Sequence, residues 1–443
     1  MVKSPQIDLS VLSNAKDIQG KIFFAVLMLI IYRLGSYIPL PGVDAQILEV
    51  VAKNNSNGLL GVFNMLSGGS LGRMSIFALS IVPYITSSIV FQLLTMISKD
   101  LEAIKKDGEA GRKKINFYTR IATIFLSIIQ GYGLAVGLEA MQAEYGQIVQ
   151  DPGFFFRITT VVTLSSGTMF LLWIGDQITS RGVGNGVSLI IFAGIVAGLP
   201  NAIFSLFELA RVGSISPVLV IAVMAITISL VTIIIFFEKS TRKLVIQYPR
   251  RQVGNKIYAG DTSYMPLKLN TAGVIPPIFA NSLLLFPATI AGFAKANPSS
   301  ETFLNKLMTL IGHGKPLYIV LSLILIVFFS FFYTTAVFNA KETADNLKKY
   351  NGFIPGIKPG VNTENHLNEV LNRITLIGAA YLSFVCLVPE IFISSYSLPF
   401  YLGGTGMLIV VNVVIDTTVQ VQSHLFSHQY DSLLKKTKLK GKK

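Results

Sequence analysis

Charged residues are scarce in this 443-residue sequence: they make up 14% of it, against roughly 25% in ordinary soluble domains. Hydrophobic residues make up 51%, and mean hydropathy is +0.59. A water-soluble fold is thereby excluded and an integral membrane protein is indicated. Cysteine is almost absent too. The single one, Cys386, lies in an apolar run, which rules out an intramolecular disulfide and a CxxC metal site and leaves a packed thiol. Catalytic patterns are missing as well. No GxxxxGK[ST] loop occurs, since "GHGKP" (312–316) lacks the spacing and the hydroxyl, and "RGVGNG" (181–186) is not GxGxxG. His424 and His428, one turn apart, read as interfacial side chains rather than a metal pair. With no carboxylate pair, Ser–His–Asp set or HExxH motif, neither catalysis nor a metal or cofactor is expected. Energy would have to come from a bound partner or the membrane potential. A cleavable leader is not expected either: the first apolar run, about 22–40, is longer than the ~7–15 residues of a signal h-region and lacks a small-residue cleavage site.

Long apolar runs are what the sequence has instead. Ten stretches of about 20 residues read as membrane spans: 22–40, 74–97, 116–137, 154–175, 186–207, 215–237, 272–293, 317–339, 371–390 and 399–420. Ten spans put both termini on one side. Of 37 Lys and Arg, 28 fall on that side and 7 on the other, so the positive-inside rule makes the termini cytoplasmic. Loop lengths repeat with a period of five spans, long first and short last. Five is odd, so the second half would enter the membrane upside down, with a functional site at the midplane between the halves. The expected organisation is a cytoplasmic segment 1–21, a first half 22–207, a second half 208–420 with long cytoplasmic loops 238–271 and 340–370, and a basic cytoplasmic tail 421–443.

Several spans carry faces that lipid would not tolerate. In "SIVPYITSSIVFQLL" (80–94), Ile81, Ile85 and Ile89 stack at four-residue spacing, and Ser88 and Gln92 share their side. Val187, Ser188 and Ile191 cluster in "GNGVSLIIFAG", and Ile278 precedes Asn281 in "GVIPPIFANS". Span 10 carries a polar column, Asn412, Asp416 and Gln420, with Ile409 beside it. Pro276 and Pro277 are expected to bend span 7 mid-membrane. Helix–helix packing explains any one such face. Four together favour an interior cavity narrowed by aliphatic side chains, and an apolar constriction can gate a pore by excluding water.

Residues 59–69, "LLGVFNMLSGG", are apolar but too short to span. They fit a re-entrant helix held inside protein or an amphipathic helix on the outer surface. The loop "KSTRKLVIQYPRRQVGNK" (239–256) holds six basic residues and no acidic one, with "VIQY" able to form a strand of a basic hairpin. The loop 340–362 ends in a Gly/Pro-rich tip carrying Lys358. Such surfaces attract RNA phosphate, anionic lipid or an acidic protein. A secondary transporter for a small solute also fits ten spans and inverted halves. Transporters usually hold ionisable groups near the midplane, and few are found here.

Long motifs carry a resemblance. "YRLGSYIPLPGVD" (32–44), "FNMLSGGSLGRMSIFALSIVPYITSSIVFQLL" (63–94), "GVGNGVSLIIFAGIVAGLP" (182–200), "AGVIPPIFANSLLLFPATIA" (272–291), "ETADNLKKYNGFIPGIKPG" (342–360) and "YLGGTGMLIVVNVVIDTTVQ" (401–420) resemble, in order, the SecY/Sec61-alpha family of protein-conducting channels. The resemblance implies an all-α polytopic fold: ten helices in two inverted five-helix halves around an hourglass channel, with a re-entrant plug helix. It implies a pore ring of Ile81, Ile85, Val187, Ile191, Ile278 and Ile409, where valine departs from an all-isoleucine pattern. It further implies a plug including Leu60, Val62, Phe63, Asn64, Met65 and Leu66, and a lateral gate at Thr86, Gln92, Asn281 and Phe286. Docking of the ribosome or the SecA motor ATPase would fall to Arg250, Arg251, Lys256 and Lys358. Implied partners are the SecE and SecG subunits, signal sequences, nascent chains and the lipid of a bacterial cytoplasmic membrane.

Overall fold

A computed structural model of the chain describes residues 16–44, 67–140, 142–143, 146–213, 215–249, 251–253, 256–258, 262–294, 315–396 and 403–440. Helices dominate because apolar segments in lipid must satisfy every backbone group internally. In the first half they are α1 (Lys16–Gly35), α2 (Val82–Ile97), the short α3 (Lys99–Lys106), α4 (Gly108–Ala140), α5 (Phe154–Arg181) and α6 (Gly186–Arg211). The second half contains α7 (Pro217–Lys239), α8 (Ile275–Ala294), α9 (Pro316–Val337), the short α10 (Ala340–Lys349), α11 (Val361–Tyr396) and α12 (Gly404–Lys440). Eight helical stretches among the described residues are long and apolar enough to cross a membrane; α2 and α8 are the two shorter apolar helices. Together they fall at the places of the ten expected spans and are consistent with that number. The segment expected as a basic tail continues α12 as far as Lys440.

The two short helices correct the expected boundaries. Hydropathy starts span 2 at residue 74, but residues 67–81 form turns and helix begins only at Val82. Met74 and Ser80 have φ of 44° and 51°, left-handed values that interrupt a helix, and Pro83 sits in the first turn, where a missing N–H costs nothing. Span 7 behaves alike. Gly273 has φ 63°, α8 starts at Ile275, and Pro276 and Pro277 therefore open the helix rather than bend its middle. Short or interrupted spans at matching places in two halves point to the site of an inverted-repeat membrane protein.

Helix packing repeats between the halves. In the first half α4 packs on α5, α2 on α4, α5 on α6, and α1 on both α5 and α6. In the second half α9 packs on α11, α8 on α9, α11 on α12, and α7 on both α11 and α12. Each pair has its counterpart five spans later. Where the halves meet, α6 touches α12 and α2 touches α8, while α7 lies on α6 as α12 lies on α1.

The two long loops of the second half fold as one unit. Strand β3 (Thr241–Gln247) pairs antiparallel with β6 (Thr262–Lys268), in register Thr241 to Lys268 and Gln247 to Thr262, and β4 (Arg251–Val253) pairs with β5 (Lys256–Tyr258); the only other described strands, β1 (Gln142–Ala143) and β2 (Gly146–Gln147), form a hairpin between α4 and α5. Gln247 and Phe353 exchange backbone hydrogen bonds at 2.9 and 3.0 Å, which ties the ladder to the loop after α10. Leu244 and Leu267 bury their side chains with Ala344, Ile354, Leu367 and Leu371.

Candidate functional site

Five of the six expected ring residues line one cavity. Ile81 stands at the N-cap of α2 and Ile85 in its first turn. Ile191 comes from the second turn of α6, whose N-cap Asn185 accepts from the Val187 and Ser188 N–H groups at 3.1 and 3.4 Å. Ile278 comes from the first turn of α8, and Ile409 from the start of α12. Val82, Ser80, Asn281, Ser282 and Thr405 complete the lining. The cavity holds about 30 Å3, and a water needs roughly 10–15 Å3 by the same measure. One or two waters fit, whereas an extended chain occupies about 5 Å by 10 Å in section. Ile81, Ile409 and Ile191 are 0%, 5% and 8% exposed, so side chains fill most of the space at this level.

The sixth residue stands apart. Val187 is not in the cavity lining; its Cγ2 lies 3.4 Å from where a Cβ would stand on Gly175 of α5, which places it against that helix. The polar column of α12, expected to face the passage, does not line the cavity either. Gln420 Oε1 accepts from the Gly184 N–H at 3.0 Å. Asn412 Nδ2 is the nearest atom, at 3.8 Å, to a Cβ built on Gly273. Asp416 is exposed and lies within electrostatic reach of Glu238. Periodicity puts these three on one face correctly but does not say which neighbour that face meets.

Of the expected gate residues, Thr86 donates to the Val82 carbonyl at 3.1 Å, and Asn281 Nδ2 donates across to Thr405 Oγ1 of α12 at 3.4 Å. Gln92 is exposed and donates to Ser88 at 3.3 Å, away from the cavity. The Phe286 side chain lies outside the described residues, as do Leu60, Val62, Phe63, Asn64, Met65 and Leu66 of the expected plug, and Arg250. The C-terminal end of segment 59–69 is described from Ser67 onward. There the Gly68 carbonyl accepts from Arg33 Nη1 at 2.7 Å and Arg73 Nη2 at 3.2 Å, both guanidiniums lying over the Tyr37 ring at 5.0 and 4.2 Å. Arg33, a charge inside span 1, is thus satisfied by a carbonyl and a π-face. Among the docking residues, Arg251 and Lys256 lie in β4 and β5, and Lys358 is exposed at the tip between Pro355 and Gly360.

Two groups escape a reading of the sequence. Ser80, Ser282 and Thr405 supply the polar rim of the cavity, and no pattern distinguishes them from packing serines. Glu238, 7% exposed, accepts from Asn270 Nδ2 at 2.6 Å; a lone carboxylate closing the run "IIIFFEK" is the signal that could have found it.

The architecture is that of a polytopic helical membrane protein with a small isoleucine-lined cavity where its halves meet. A sequence profile of the SecY family matches residues 75–418. The chain is 56% identical over 428 residues to protein translocase subunit SecY of Rickettsia bellii, covering 97% of this chain and 98% of that one. It is 46% identical to the Escherichia coli K12 subunit of the same name, covering 100% and 99%. This chain therefore belongs to the SecY family. Its fold matches a solved protein-conducting channel with TM-score 0.63 at 16% identity over 92% of each chain, and Sec61 in a canine ribosome–channel complex with TM-score 0.60 at 15% identity, again over 92% of each. The chain is a multi-pass membrane protein and a translocation channel.

Proposed function

We propose that the chain conducts unfolded secretory polypeptides across a bacterial cytoplasmic membrane, with both termini in the cytoplasm, and releases apolar segments sideways between α2 and α8. What supports this most is that five isoleucines from four helices line one cavity. Aliphatic tips offer a passing chain no partner for its amides, so the chain slides, while ions lose their hydration and are held back. Val187 would flank the collar rather than complete it. Segment 59–69 would seal it from the far side.

The lateral opening adds a sorting rule. Leu, Ile or Phe favour lipid by about 0.3–0.6 kcal/mol each at a helix centre, and Asp, Lys or Arg oppose it by about 2.5–3.5. One central charge offsets roughly five to ten leucines, so polar segments continue across. A signal sequence opens the seam by binding the open state better than the closed one.

Driving force comes from a partner docked on the basic loop unit: the ribosome, or the motor ATPase SecA, with SecE and SecG as companion subunits. The test is reconstitution with a SecE-type subunit and the motor in sealed vesicles. An unfolded precursor should become protease-protected only when ATP is present. Failure to protect it, with the motor bound, overturns the conduit reading. Removing charge at Arg250, Arg251 and Lys358 should weaken ribosome binding and lower its salt slope by about one for each phosphate that is no longer neutralised; an unchanged slope speaks against phosphate docking.

A further inference from the structure

Strand β6 ends at Lys268 and α8 starts at Ile275, so six residues separate the loop unit from the helix that carries Ile278. Within them Asn270 is 4% exposed. An amide has two N–H donors, and Asn270 Nδ2 donates both ways: to Glu238 Oε1 on α7 at 2.6 Å and to the Gly273 carbonyl at 3.0 Å. Gly273 is the left-handed residue, φ 63°, on which the chain turns into α8. The Leu269 N–H extends the ladder by bonding Ser240 at 3.0 Å, and Gly378 of α11 has no side chain where the Leu269 carbonyl approaches, 2.9 Å from a built Cβ. Tyr381 of α11 stacks on Phe237, the residue before Glu238, with ring centroids 4.4 Å apart. Asn412 of α12, one turn beyond Ile409, borders the same turn. Sheet, α7 and the root of α8 are thus joined through one side chain, and α12 lies against it.

We propose that Asn270 is a positioning residue that carries movement of the docked loop unit into the ring helix α8. The proposal rests on the docking reading above and adds the residue through which docking reaches the collar. A short connection whose backbone is pinned at both ends moves as a lever. Without the amide, the ladder and α8 are joined only by a turn free to absorb the motion. Coupling between two sites requires an element whose states both sites bias, and the 269–274 turn with Asn270 is that element.

The experiment uses the full chain in nanodiscs, in a Cys386→Ser background, with fluorescent labels at Val90→Cys on α2 and Leu283→Cys on α8, both exposed positions. Ribosomes are titrated in, and binding and label separation are read together. Labels on the chain with Asn270 intact should move apart on docking. Asn270→Ala should still bind ribosomes, its Kd raised by at most the coupling factor of about 5- to 150-fold, while its label response falls about fivefold or more. Glu238→Gln, which keeps an acceptor for the amide, should retain the response. A full response from Asn270→Ala overturns the proposal, and so does abolished ribosome binding, which exceeds what coupling can return and marks a merely structural role. If Asn270→Ala does not fold, Glu238→Ala against Glu238→Gln reads the same link, and equal responses overturn it. Should the unsubstituted chain bind ribosomes without label movement, docking stands and the lever falls; should it not bind, the docking reading falls first.

Discussion

The two halves of this chain pack alike and end differently. Five helix pairs recur in the same order five spans apart, and in each half the helix of the second span starts late, after a left-handed residue and beside proline: Ser80 before Val82–Pro83, Gly273 before Ile275–Pro276. Both fifth helices open on a glycine pressed against the fourth. A Cβ on Gly186 would meet the Gly175 carbonyl of α5, and one on Gly404 the Val385 carbonyl of α11. The turn after the third helix shows the difference. In the first half it closes on itself, with Arg157 Nε and Nη2 donating to Glu139 Oε2 at 2.8 and 2.6 Å. In the second half the same position, after α9, grows into the loop unit that bonds the ladder after α7. One symmetry is also broken at the seam: α8 leans on α4, with no comparable packing of α2 on α9 among the described residues. The repeat brings the five isoleucines together, and its departures are a loop unit in one half and a junction between the halves that differs from its mirror image.

The largest effect tests the collar itself. Replacing Ile81, Ile85 and Ile191 with Gly should raise ion leak in a reconstituted bilayer strongly, since each removes a wall of a cavity only one or two waters wide. Val187→Gly should leave conductance near its starting value, because Val187 faces α5. Equal leak from Val187→Gly would restore it to the ring, and unchanged conductance in the triple variant would remove the ring from these helices.

The mirrored glycines come next. Gly186→Ala and Gly404→Ala should each lower stability by about 1–3 kcal/mol through overpacking against backbone, read as the thermal unfolding midpoint in detergent. Gly198, in α6 with open space around it, gives the contrast: Ala there should stabilise by about 0.5–1 kcal/mol. A silent Gly404→Ala beside a damaging Gly186→Ala would break the symmetry of the fourth-to-fifth helix contact.

Much of this is legible in the sequence because lipid imposes a coarse rule. A span needs about 20 apolar residues, and that counts spans and sides without any knowledge of packing. The same rule hides where α2 begins. Residues 74–81 are as apolar as the helix they precede, and only the left-handed Met74 and Ser80 interrupt them; hydropathy does not record dihedrals. Pro276 and Pro277 are visible, yet whether a proline bends a helix or starts one depends on the residues before it. The site is legible as faces rather than neighbours. Ile81 and Ile85 share a side by spacing, but their meeting with Ile278 and Ile409 is a long-range fact, as is the joining of two loops at Gln247 and Phe353.

The smallest effect probes the junction between halves. Gln420 of α12 accepts from the Gly184 N–H at 3.0 Å, in the turn between α5 and α6, where Gly184 has φ 90° and a Cβ would lie 3.2 Å from Thr417 Oγ1. Gln420→Ala leaves that N–H without its acceptor, a loss of about 1 kcal/mol for a partly wetted bond. The midpoint of thermal unfolding should fall slightly. Gln420→Glu keeps the acceptor and should leave the midpoint unchanged. Thr405→Val tests the bond from Asn281, which at 3.4 Å is near the limit for a hydrogen bond, and should cost less than Gln420→Ala. The reverse ranking would mean that the halves are held together at the collar rather than at the turn beside Gly184.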